Sequence, residues 1–152
     1  MSMAESLRET LLSDENKDEF VADARTVLDA EVKSKRGPTG MVIKGAYKTV
    51  NAVHASFVNS VIRVLLPDFL ASLQPHWDDF AASGNDDFAA FLSDRGDEAA
   101  NSLLEVVDRR AEGSSYRSVV KLYGQLRGQA HKHVVATVPA VGRLIQGSMA
   151  TS

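Results

Sequence analysis

Four histidines, His54, His76, His131 and His133, are the first residues of this sequence that could do chemistry. A neutral imidazole can ligate a metal, and it shuttles protons near neutral pH. Their spacing argues against a metal site. His131 and His133 stand about 200° apart around a helix, and neither His-x-x-x-His nor His-Glu-x-x-His occurs. His54 falls at the centre of an apolar arc, which reads first as a buried, hydrogen-bonded core histidine. The doubled aspartates Asp78-Asp79 and Asp86-Asp87 lack the alternating Asp-x-Asp-x-Asp-Gly pattern that wraps oxygens round calcium. As an acid/base pair they are no better, because adjacent helical residues point apart. They read as ordinary helix-start acids.

Nucleophile and phosphate motifs are missing as well. The sequence has no Gly-x-Ser-x-Gly, no Gly-x-Gly-x-x-Gly and no Gly-Lys-Ser/Thr. It has no cysteine, which removes disulfides, thiol catalysis and thiolate metal sites and fits a reducing cytoplasm. The expectation is a protein that is not an enzyme and holds no cofactor or metal. Gly124 and Gly128 resist a bland reading more than the rest. Each costs about 1 kcal/mol relative to alanine inside a helix, and they share a face one turn apart. Close helix–helix contact over small residues explains them, as would a cleft where a ligand meets the backbone.

The elements that must position these residues are helices. Ser6-Leu7-Arg8-Glu9 has capping-box spacing for a short helix ending near Leu12. Ser13 caps a second, with Phe20, Ala24, Val27, Leu28 and Val32 on one face and Gly37-Pro38 as its stop. Thr39 caps a long helix over 39–66. At about 100° per residue, Ile43, Tyr47, Val50, His54, Phe57, Val61 and Leu65 share one arc. Its opposite face is small and basic. Pro67 and Pro75 each start a short helix, and Asn85 caps another after an echo of Asp-Asp-Phe-Ala-Ala. A helix from about Asp94 carries Leu103, Leu104, Val106 and Val107. The second long helix, 115–138, is apolar over most of its circumference and so belongs in the middle of the molecule. Pro139 ends or kinks it. No stretch alternates in polarity like a strand. The fold class is all-α: one domain over 1–147, a bundle of five to seven helices, with a frayed tail over 148–152.

Charge is distributed in blocks. Residues 1–32 carry nine acids and three bases, and residues 33–66 carry six bases and no acid. Residues 67–112 carry eleven acids and three bases, and residues 113–152 carry five bases and no acid. Internal neutralisation between neighbouring helices is the simpler reading. The alternative is an anion-binding face made of Lys44, Lys48, Arg63, Lys121 and Lys132. The net charge of −3 and the lack of interleaved aromatics argue against nucleic acid. The N-terminus runs into charge, giving no sign of a signal peptide, and the charge-free stretch Thr49 to Ile62 is too short to span a membrane. A soluble cytoplasmic protein is expected.

Leu66-Pro67-Asp68-Phe69-Leu70, Asp97-Glu98-Ala99-Ala100 and Val107-Asp108-Arg109-Arg110-Ala111, in that order, resemble a family of small uncharacterised actinobacterial helical proteins, a domain of unknown function. The resemblance implies a cytoplasmic helical protein with no assigned activity and supplies no catalytic residues. Two functional classes follow. One is a non-catalytic interaction or structural module, a homodimer among its forms, acting through the small and basic face of helix 39–66 around Ala52 and Ala55. The other is a small-molecule carrier or cryptic enzyme with a pocket near Tyr47, His54, Gly124, Gly128 and His131.

Overall fold

The computed structural model describes residues 5–53, 56–115 and 117–151, the side chains of Thr39, Val53 and Val119 excepted. The chain forms an all-α, single-domain helical bundle with seven helices and no strand among the described residues. They are α1 (Leu7–Leu11), α2 (Lys17–Ser34), α3 (Gly37–Val53), α4 (Phe57–Ser83), α5 (Phe88–Asp94), α6 (Gly96–Glu112) and α7 (Arg117–Ala150).

The caps explain most of the boundaries. The Ser6 hydroxyl accepts from the Glu9 amide at 3.2 Å and opens α1 as the capping box predicts. Ser13 does not open α2. Its carbonyl accepts from the amides of Asn16 and Lys17, forming a turn, and the helix starts at Lys17. Lys35 is extended, Gly37 takes a φ of +76° that L residues rarely adopt, and α3 begins there, two residues before Thr39. Asp87, not Asn85, caps α5, accepting from the Ala90 amide at 3.2 Å.

The long helix expected over 39–66 is two helices. Gly40–Ala52 and Phe57–Ser83 are inclined at 108°. A straight helix from 37 to 83 would be about 70 Å long, more than twice the length of helix that spans a small domain. Bending instead lets Tyr47 and Val50 of α3, and Val58 and Ile62 of α4, reach one core. His54 and Ala55 lie outside the described residues.

Pro67 and Pro75 do not start helices either, for both lie inside α4. Each removes one helical hydrogen bond. The carbonyls that lose a donor belong to Arg63 and Ala71, both exposed, where water can replace it. Leu66, Leu70, Leu73 and Phe80 bury the inner stripe and hold the helix together across the prolines. Gly84, at φ +78°, then terminates α4 in the left-handed conformation. Around its end Trp77, Phe80, Phe88 and Phe91 form an aromatic cluster, with the Trp77 and Phe88 rings edge-on at 4.9 Å.

The buried residues of α7, Val138, Ala140, Gly142 and Ile145, lie at and beyond the end of the predicted 115–138. Pro139 lies within the helix and does not end it. At Gly142 an added Cβ would stand 2.7 Å from the Ala89 Cα, so α5 and α7 touch backbone to backbone. Among the described residues no single helix is long and apolar enough to cross a membrane.

Candidate functional site

The structure does not gather the five predicted pocket residues. Gly124 and Gly128 are exposed, and an added Cβ at either would meet open space, so they are neither a helix contact nor a cleft. Between α6 and α7 the glycine in contact is Gly96 instead, where an added Cβ would stand 3.5 Å from the Val135 side chain, an ordinary packing distance. His131 Nε2 stands 3.7 Å from Asp97 Oδ1, a pair only when the ring is protonated. Tyr47 faces α2, and His54 lies outside the described residues.

The five predicted anion-face residues are distributed over three helices. Lys44 and Lys48 are on α3, Arg63 is beyond the 108° bend on α4, and Lys121 and Lys132 are on α7. Arg63 is engaged by Asp18 at 3.1 Å. Other pairs also join a basic block to an acidic one: Lys35 with Glu31, and Arg127 with Asp108.

Cavities form where α4 emerges from its first turn. Phe57, Val61 and Leu65 recur every four residues and make a wall with open space on both sides. On one side a groove of about 590 Å³ runs between α4, the end of α6 and the start of α7. Val64, Val107, Ala111 and Val120 line it with the wall, and Ser56, Ser60, Ser114, Arg110 and Tyr123 supply its polar side chains. On the other side a second, open-sided pocket of about 400 Å³ is lined by Ala24 and Leu28 of α2, Tyr47 of α3 and Phe69 of α4.

A tyrosine held by a carboxylate stands at each cavity. Tyr123 donates to Asp108 Oδ1 at 2.5 Å, and Arg127 grips the same carboxylate through Nε at 2.9 Å and Nη2 at 3.1 Å. Tyr47 donates to Asp29, which also accepts from Arg25 Nε at 3.0 Å. Burial, then the hydrogen bond to Asp29, pushes the Tyr47 phenol up to about 12. Burial and Asp108 raise Tyr123 in the same way. Asp108 is lowered by Arg127 and then Tyr123, and Asp29 by Tyr47 and then by Arg25. Neutral phenols and engaged carboxylates hold shape and supply no base. Arg110, the cation at the groove, is bound to Asp68 at 2.9 Å.

Two further histidines carry altered acidity. His76 is buried, its Nδ1 3.5 Å from Arg95 Nη1, and burial followed by Arg95 lowers its pKa. Arg95 also binds Asp79 at 2.8 Å and lies over the Phe91 ring at 4.5 Å. His133 Nε2 is buried with no hydrogen-bond partner among the described residues; burial, Lys35 and Lys132 lower its pKa. Lys35, 11% exposed, donates to the His133 carbonyl at 3.3 Å and to Thr137 Oγ1 at 3.4 Å. Among the described residues no three His, Asp or Glu side chains converge as a metal site would require.

Sequence reasoning missed the groove. Its aliphatic lining reads as core until the 108° angle between α3 and α4 is known, although Phe57, Val61 and Leu65 already share one arc.

A family model described as a family of unknown function, DUF6918, matches residues 7–149. The chain belongs to this family, and the match covers nearly the whole bundle with no activity attached. No curated protein and no solved structure matches the chain.

Proposed function

We propose that this protein is a non-catalytic binding module that holds an apolar small molecule in the groove between α4, α6 and α7. The observation that carries this reading is the groove itself, at about 590 Å³, within the roughly 300–1,000 Å³ typical of small-ligand sites. Its walls are mainly aliphatic, and its polar groups are few. Tyr123 and Arg110 are already bound to carboxylates, and the groove's remaining polar side chains among the described residues are serines with no histidine or free carboxylate lining it to activate them. That chemistry suits a hydrocarbon body with at most one polar end. The cysteine-free chain supports a cytoplasmic location.

A protein-interaction module using the same groove is the second reading. Val64 stands half exposed at the rim, and the wall repeats at the spacing a docked helix would meet. Native mass spectrometry of gently purified protein separates the two. Released mass of a few hundred daltons or less supports the carrier, and a co-purifying chain supports the interaction module. A fluorescent acyl chain should bind one per protein. Val64→Trp, filling the mouth, should weaken that binding roughly tenfold or more, about 1.4 kcal/mol. Absence of saturable binding, or equal binding by Val64→Trp, would sink the carrier reading.

A further inference from the structure

A different surface carries an inference independent of the groove. Met41 and Val42, in the first turns of α3, are the most exposed large hydrophobic residues described, at 66% and 52%. They are not isolated on their helix. Met41, Val42, Gly45, Lys48, Thr49 and Ala52 are all exposed, and at about 100° per residue they fall in one arc of about 120°. Lys44 flanks this face and Arg36 immediately precedes α3. From Lys33 to Leu66 the chain has no acid. No ion pair among the described residues engages Arg36, Lys44 or Lys48.

We infer that the outer face of α3 docks on an anionic lipid surface, with Met41 and Val42 entering the headgroup boundary and Arg36, Lys44 and Lys48 meeting lipid phosphates. An interfacial helix combines an apolar insertion with cationic flanks, and its affinity grows with the anionic charge of the membrane. Charge complementarity selects this occupant over a second copy of the chain. Two α3 faces brought together would oppose lysines to lysines with no acid on either helix to answer them. Six exposed residues are also far fewer than the roughly 20–30 per side of a stable protein interface. A fluid membrane asks for no such area, because each base near the surface contributes separately.

The test is co-sedimentation of the full chain with phosphatidylcholine vesicles, with and without phosphatidylglycerol, at low and at physiological salt. Binding should require phosphatidylglycerol and weaken as salt rises. Lys44→Gln and Lys48→Gln should each lower the partition roughly fivefold, and Met41→Ser with Val42→Ser should lower it further. These side chains are largely solvent-facing, and circular dichroism checks that each variant keeps its helix content. No sedimentation with anionic vesicles, equal binding to phosphatidylcholine alone, or insensitivity to the Met41 and Val42 changes overturns the inference. So would a dimer in analytical ultracentrifugation that Val42→Asp disrupts, which would make this face a contact between copies.

Discussion

His76 and His133 make stability depend on pH. Both are held neutral in the fold, with pKa below the ordinary 6.5. The unfolded chain therefore takes up protons first as pH falls through 6.5, and the folded state loses stability until its own histidines titrate. Asp29 and Asp108, lowered from 3.8, add a second loss at lower pH, below about 3.8 and through their folded values. Melting temperature should be level from pH 8 to 7 and fall below about 6.5. His133→Met should make that first decline shallower, leaving the His76 part, without moving the acid one. Tyr123→Phe removes one donor to Asp108 and keeps the ring at the groove, so it should cost about 1 kcal/mol in urea unfolding. An unchanged midpoint would mean that water already serves that carboxylate. The sequence showed the histidines but not which would be buried. Among the described histidines the buried one is His76, which no apolar arc had singled out. Its neighbour Asp79 is on the next turn of α4 but Arg95 comes from beyond α5, and His54, which had the arc, lies outside the described residues.

Two kinds of helical glycine should respond oppositely to a methyl group. Gly124→Ala and Gly128→Ala add a Cβ in open space and remove the helix penalty of glycine, so each should stabilise by about 0.5–1 kcal/mol. Gly142→Ala pushes a Cβ to within 2.7 Å of the Ala89 backbone and should destabilise by about 1–3 kcal/mol, since backbone cannot rotate away. Denaturant midpoints decide both, and a stabilised Gly142→Ala would mean that α5 can slide. The first two helices were legible from periodicity and from Ser6 and Gly37-Pro38. What stayed hidden depended on contacts distant in sequence. The 108° bend has no proline or glycine to announce it, and Pro67 and Pro75 suggest helix starts because their local cost is visible while the burial of Leu66, Leu70 and Leu73 around them is not. The groove was illegible for the same reason. Its lining is ordinary core until α3 turns aside.

At the scale of the whole molecule the charge blocks settle against one another in part. Arg63 reaches Asp18, Arg127 reaches Asp108, and Lys35 approaches Glu31. Most of these side chains are substantially exposed, so each pair contributes at most about 1 kcal/mol and selects neighbours more than it stabilises them. The bases of α3, which no ion pair among the described residues engages, are among those left to face outward, with Lys121, Lys132 and Arg143 of α7. The wall of Phe57, Val61 and Leu65 has cavities on both sides, while the later turns of the same helix pack Trp77 and Phe80 against Phe88 and Phe91 of α5. The early turns of this helix, although Val58 and Ile62 reach the core, are packed less fully than the late ones, and its amide protons should divide into two populations. Those of 61–66 should exchange with deuterium through local opening, while those of 70–80 should wait for global unfolding. An occupant of the groove would close that gap, slowing the early turns toward the rate of the late ones.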